Sequence, residues 1–148
     1  MSRGLSVLLG LILIAPAWSG LPAVAQPAFA LTRVELTFQN GRGDITVPLR
    51  YPDLRGYATL RFTGSGMFHA TWKVDGRVLA SVVEPVVFGE ILMLATPRIP
   101  PLPTFEPGLH RARLEVIEPR PAFKVPEITY FVTAEDYEDF KKRMEKWQ

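Results

Sequence analysis

Short runs in which apolar and polar residues alternate one by one, each closed by glycine or proline, constrain this chain more than any other feature. Val34, Leu36 and Phe38 alternate with Arg33, Glu35, Thr37 and Gln39, and Ile45, Val47 and Leu49 repeat the pattern. Phe68, Ala70, Trp72 and Val74 stand opposite His69, Thr71 and Lys73. His110, Ala112, Leu114 and Val116 stand opposite Arg111, Arg113 and Glu115. Successive side chains of a strand point to opposite faces, so period two predicts strands with one buried face. Residues 57–62, 78–83 and 128–133 read as further strands. Residues 91–96 are apolar on both faces and are expected to lie deep.

The breaks between the runs carry their own chemistry. Asn40-Gly41-Arg42-Gly43 is turn material, and Gly64-Ser65-Gly66 reads as a tight turn between strands. Asp75-Gly76 suits a two-residue hairpin turn whose central positions both need positive φ. Pro85 has no N–H to give a ladder, so it marks an edge or an end. Five prolines fall between Pro97 and Pro107, which makes that stretch an extended crossover and neither a helix nor a central strand. Seven or eight short strands with regular turns predict an all-β chain folded as a β-sandwich.

The start of the chain differs. Arg3 is the only charge before Arg33, an apolar run follows over residues 5–15, and then come Ala23-Val24-Ala25 and Ala28-Phe29-Ala30. Basic start, apolar stretch and A-x-A site occur in the order of a secretory signal peptide. Cleavage is expected after Ala25, with Ala30 as the second choice. The apolar run of 11 residues is well short of the roughly 20 that a spanning helix needs. Pro16, Pro22 and Pro27 break it further, so no integral membrane span is expected. The organisation is therefore a signal peptide over 1–25, a sandwich over 26–133 and a C-terminal helix over 134–148, with the mature chain in the periplasm or outside the cell. The chain has no cysteine, which excludes disulfides, thiolate metal sites, a nucleophilic thiol and a cysteine-linked lipid anchor. A net charge of +2 is not the footprint of a nucleic-acid binder.

No glycine or proline interrupts residues 134–147. Thr133 is the expected helix cap, with Asp136 three residues on. Glu135, Asp136, Glu138 and Asp139 come early and Lys141, Lys142, Arg143 and Lys146 late, an order that complements the helix dipole. Tyr137, Phe140, Met144 and Trp147 recur at spacings of three and four and form one apolar stripe. Such a stripe docks on the sandwich, lies in a groove of a partner protein or, as a weaker third reading that four acidic residues oppose, rests on a membrane surface.

Four segments together, Gly64-Ser65-Gly66, Trp72-Lys73-Val74-Asp75-Gly76, Pro100-Pro101-Leu102-Pro103-Thr104 and Pro107-Gly108-Leu109-His110, resemble bacterial immunoglobulin-like domains of exported proteins. The resemblance spans roughly residues 32–133. It implies an immunoglobulin-like β-sandwich in which Trp72 is the core tryptophan of the third strand of that fold. Gly108-Leu109-His110-Arg111-Ala112 is similar to the G-x-Y-x-C segment of its sixth strand, with His110 in place of the corner tyrosine and Ala112 in place of the cysteine. The third and sixth strands of that fold are neighbours. About function the resemblance is nearly silent, because sandwiches host many tasks.

Catalysis needs a convergent set of titratable groups, and no such set is legible. Alternation puts His69 and His110 on opposite faces, so they share no metal, and zinc wants three or four ligands. His110 reads as a corner residue bonded to backbone. No G-x-S-x-G elbow or phosphate loop occurs. Lys73, Arg111 and Arg113 are expected to line one outer face as a weak basic strip, joined by Phe131, and the acidic start of the helix is expected to dock there. Arg42-Gly43-Asp44 spells an adhesion tripeptide at an expected hairpin tip, a match that arises easily by chance.

The expectation is a non-catalytic exported protein, with no metal or other cofactor, that binds another component of the cell envelope. Its partner-binding residues are expected to be Tyr137, Phe140, Met144 and Trp147 on the helix and Lys73, Arg111 and Arg113 on the sheet, with Trp72 and His110 structural. The alternative is a structural or accessory subunit of an envelope assembly. An enzyme or an Arg-Gly-Asp adhesin comes behind both.

Overall fold

The computed structural model describes residues 22–147. The expected signal peptide lies almost wholly outside them. Eight strands and one helix follow in order: β1 (Ala30–Phe38), β2 (Asp44–Leu49), β3 (Gly56–Thr63), β4 (Gly66–Val74), β5 (Arg77–Val86), β6 (Ile91–Ala95), β7 (Gly108–Glu118), β8 (Glu127–Asp136) and α1 (Tyr137–Glu145). They form a three-stranded sheet in the order β1-β3-β6 and a five-stranded sheet in the order β2-β8-β7-β4-β5. The chain changes sheet at every connection except β4–β5 and β7–β8.

Alternation explains the core. The faces of β4 and β7 expected to be apolar are the buried ones: Phe68, Ala70, Trp72 and Val74 on one strand, Ala112, Leu114 and Val116 on the next. They pair as expected, with Trp72 opposite Leu114 and Lys73 opposite Arg113. Leu36, Phe38, Leu60 and Phe62 of the small sheet belong to the same buried cluster. Aromatic edges lock the two layers, Phe62 on Phe68 at 5.4 Å and Phe38 on Tyr130 at 6.0 Å between ring centres, an arrangement worth more than its buried area alone.

Four expectations are corrected. Residues 91–95 do not lie deep, although Thr96 after them is buried: β6 is an edge strand, and Met93 is 77% exposed. Its apolar residues line an edge because β3 is covered on its other side by β1, leaving only an outer position for β6. Asn40-Gly41-Arg42-Gly43 is not a hairpin tip, because β1 and β2 belong to different sheets. It is a crossover in which Arg42 pairs with Asp44 at 3.7 Å and the Gly43 carbonyl already accepts from the Thr129 N–H. The last residue of the adhesion tripeptide, Asp44, is therefore the first of β2, and the two charges of the tripeptide face each other. The C-terminal helix does not begin at Thr133. Parallel pairing with β2 carries β8 as far as Asp136, which lies opposite Leu49, and Asp136 caps the helix by accepting the Glu138 N–H at 3.0 Å. Tertiary pairing overrides the local signal, and a carboxylate is as good a cap as a hydroxyl. Finally, the acidic helix start docks not on Lys73, Arg111 and Arg113 but on Arg50, whose Nε donates to Asp136 at 2.6 Å. The reason is β2, which adds outside β8 and brings Arg50 to that end of the sheet.

Residues 27–29 are part of the packed structure. Phe29 stacks on Phe62 at 5.5 Å, and the Ala28 carbonyl accepts from the Thr63 hydroxyl. The Phe29 ring fills the space that a side chain at Gly66 would need, and the backbone of residues 27–29 fills that beside Gly64. The Gly64-Ser65-Gly66 turn thus uses its glycines to admit the N-terminal segment.

Candidate functional site

The Asp75-Gly76 turn takes the conformation expected of it, with φ of 49° and 79°, and Val74 and Arg77 face each other across it. Left-handed backbone at an Asp is tolerated because its short side chain bonds locally. Here that side chain reaches across to β7. One carboxylate oxygen accepts the Arg111 N–H at 2.9 Å, and the other lies 2.7 Å from His110 Nδ1. His110 Nε2 sits 2.7 Å from the Glu106 carbonyl. The imidazole stacks on Tyr130, with ring centres 5.0 Å apart, and the Tyr130 hydroxyl donates to the Pro103 carbonyl at 2.8 Å.

These bonds fasten the proline crossover. Leu102 is buried beneath it, the Thr104 hydroxyl donates to the Tyr51 carbonyl, and the Thr104 carbonyl accepts the Arg50 N–H. The crossover becomes one wall of a cleft whose other wall is the β4–β5 turn and the start of β5. The cleft holds about 560 Å³ and is lined by residues that include Val78, Leu79, Pro100, Pro101, Phe105 and His110. Val78 is 64% and Phe105 69% exposed, so both walls keep apolar side chains in water. Asp75, Arg77 and Glu106 supply the charge at its rim.

Electrostatics follow from this geometry. Burial works against a charged His110, but the bonds to Asp75 and to the Glu106 carbonyl outweigh it and raise the imidazole above its ordinary range. Burial also opposes the Asp75 charge, and the Arg111 N–H, His110 and the nearby Arg77 outweigh it, holding the carboxyl below the usual range. Burial pushes the Tyr130 phenol far up, so it stays neutral and acts as a donor. Among the described residues no group of three or more His, Asp and Glu side chains is placed to hold a metal ion.

His110 bonds to backbone as expected. The sequence reading missed its partner Asp75 and the cleft. A signal existed: Val74 lies opposite Ala112, so once the third and sixth strands of the expected fold are paired, the turn that follows Val74 arrives beside His110.

The other expected site residues are dispersed. Lys73 and Arg113 are cross-strand neighbours that both reach Glu115, at 2.5 and 3.4 Å, and the Lys73 bond holds the Glu115 carboxyl low. Arg111 contributes its backbone N–H to Asp75. Tyr137 packs edge-on against Tyr51 at 5.5 Å, Phe140 is half-buried under the Arg143 guanidinium, and Met144 and Trp147 are exposed. The helix stripe is thus docked at its first turn and free at its last. Trp147→Ala is expected to shift the unfolding free energy by less than about 0.5 kcal/mol. Tyr137→Ala, which strips Tyr51 of its edge contact, is expected to cost about 1 kcal/mol. Urea denaturation of the two variants checks this, and equal losses would contradict the docking described. No helix among the described residues is long and apolar enough to cross a membrane. No family model matches this chain, and no curated protein and no solved structure matches it.

Proposed function

We propose that this chain is a non-catalytic, exported immunoglobulin-like protein that binds another component of the cell envelope, and that its binding surface is the cleft between the β4–β5 turn and the proline crossover. The observation that carries the reading is the combination of a pre-fastened wall with exposed apolar side chains. The crossover is held at Leu102, Pro103, Thr104 and Glu106 before any partner arrives, and a preorganised surface loses little entropy on binding. Val78, Pro100, Pro101 and Phe105 then suit an extended apolar segment of a partner protein.

Further observations support the parts of this reading. Two sheets around Trp72, with β4 beside β7, agree with an immunoglobulin-like sandwich. Cleavage after Ala25 leaves Phe29 on Phe62, whereas cleavage after Ala30 would remove it and the first residue of β1. Both nitrogens of His110 are engaged, and none of the residues lining the cleft is a serine, threonine or lysine. A general base with no free nitrogen and no nucleophile beside it favours binding over catalysis. The second reading, an accessory subunit seated through its helix, rests on Trp147, which is 84% exposed.

A photo-crosslinking residue at position 78 tests the proposal in the native envelope. Crosslinks to one partner that vanish in Phe105→Asp and persist in Phe140→Ala/Trp147→Ala are expected. Crosslinks that survive Phe105→Asp, with capture lost only in the helix variant, would favour the accessory subunit. A precursor confined to the cytoplasm would overturn export.

A further inference from the structure

We propose that His110 is a protonation-dependent latch on the cleft: the imidazolium ties the Glu106 end of the proline crossover to the β4–β5 turn, and loss of one ring proton releases that wall. That release weakens the grip on an apolar occupant rests on the reading of the cleft as the binding surface. The latch itself stands on bond chemistry alone.

The argument begins with what His110 touches. Nδ1 lies 2.7 Å from an Asp75 carboxylate oxygen and Nε2 lies 2.7 Å from the Glu106 carbonyl oxygen. Neither partner has a proton to give, so both nitrogens must donate. A neutral imidazole carries one N–H, and only the imidazolium carries two. In the neutral ring one nitrogen lone pair would face an acceptor oxygen at hydrogen-bond distance. The carboxylate is the stronger acceptor, because its bond is charge-assisted. Nδ1 therefore keeps the remaining proton, and the contact that fails is Nε2 to Glu106.

The groups around the ring reinforce this order. Asp75 on the turn attracts the ring charge, and the Glu106 side chain adds a smaller attraction from the crossover. Arg77 on β5 and the Arg111 N–H on β7 hold Asp75 ionised. Tyr130 on β8 stacks on the ring, and its hydroxyl remains a donor to Pro103. The Pro103 and Thr104 anchors do not depend on the proton, so deprotonation frees Phe105 and Glu106 while the rest of the crossover stays in place.

Nitrogen-15 and carbonyl carbon-13 spectra of the intact mature protein, recorded from about pH 5 to about pH 9.5, test the latch. The expected result is one titration above the ordinary histidine range in which Nε2 loses its proton and Nδ1 keeps it. The Glu106 carbonyl and the Phe105 and Glu106 amides should move with the same midpoint. In Asp75→Asn the ring midpoint and the backbone transition should fall together. A ring that titrates while residues 105 and 106 stay still, or that loses its proton from Nδ1, overturns the latch. Affinity for the uncharged dye Nile red, titrated on either side of the midpoint, is the second readout. Binding that is lost in Phe105→Asp and weakens at least about threefold above the midpoint supports the whole scheme. A coupled ring and backbone titration with no dye bound supports the latch and overturns the cleft as an apolar site. Dye affinity that ignores the midpoint overturns the control of the cleft by His110.

Discussion

Trp72→Ala is expected to lower the unfolding free energy by about 3 to 5 kcal/mol, a large share of the roughly 5 to 15 kcal/mol that holds a domain together. Trp72 is 1% exposed and sits on β4, between β7 and β5 in the five-stranded sheet, so truncation leaves a void that neighbours on two strands cannot fill. No disulfide shares the load, because the chain has no cysteine. The indole Nε1 is buried and has no hydrogen-bond partner, so what Trp72 contributes is packing rather than polar contact. Trp72→Phe, which keeps an aromatic ring and removes the unpartnered N–H, is therefore expected to cost well under half as much. Guanidinium unfolding of the two variants measures the difference. Similar losses for both would mean that the indole is doing something other than filling space.

Asp75→Ala is expected to cost about 2 kcal/mol near pH 6, through the loss of charge-assisted bonds to His110 and the Arg111 N–H. The half-exposed carboxylate keeps the figure modest. The dependence on pH follows from the two shifts. The folded pKa of Asp75 is depressed, so its contribution is present above about pH 4 and is lost as pH falls through the folded value. The folded pKa of His110 is raised, so its contribution is full below about pH 6.5 and is lost as pH rises through the folded value. The gap between wild type and variant should be widest between these limits and narrow on both sides. Asp75→Asn keeps the short polar side chain that suits a φ of 49° and should recover part of the loss while flattening the pH dependence. Urea midpoints across a pH series decide. A gap that grew above neutral pH would mean that His110 is neutral in the fold.

How much of this was legible depends on how far apart the interacting residues lie. Alternation reads local geometry, so the buried faces of β4 and β7 could be seen directly, whereas the backbone role of His110 was implied by the resemblance of its segment. The Asp75-Gly76 turn was legible because its chemistry is confined to two residues. Alternation says nothing about which sheet a strand joins. The crossover at Asn40 therefore read as a hairpin, and the parallel seat of β2 on β8 left no local mark. Residues 91–96 misled because apolar composition cannot separate a central strand from an edge one. The cleft was overlooked for a related reason: its walls come from a turn and a crossover far apart in the sequence, which meet only when the pairing of β4 with β7 is carried through to the residues beyond it.

The parallel seat of β2 has a consequence for how the chain is made. Arg50 at the end of β2 meets Asp136, 86 residues further along, and β2 has no other neighbour in its sheet. Pairing between such distant segments is slow to form, and here it cannot start until the last strand exists. During synthesis β2 therefore waits without a partner, while β1 can already pair with β3. In a chain that emerges N-terminus first, the larger sheet stays open on the β2 side until the last strand arrives.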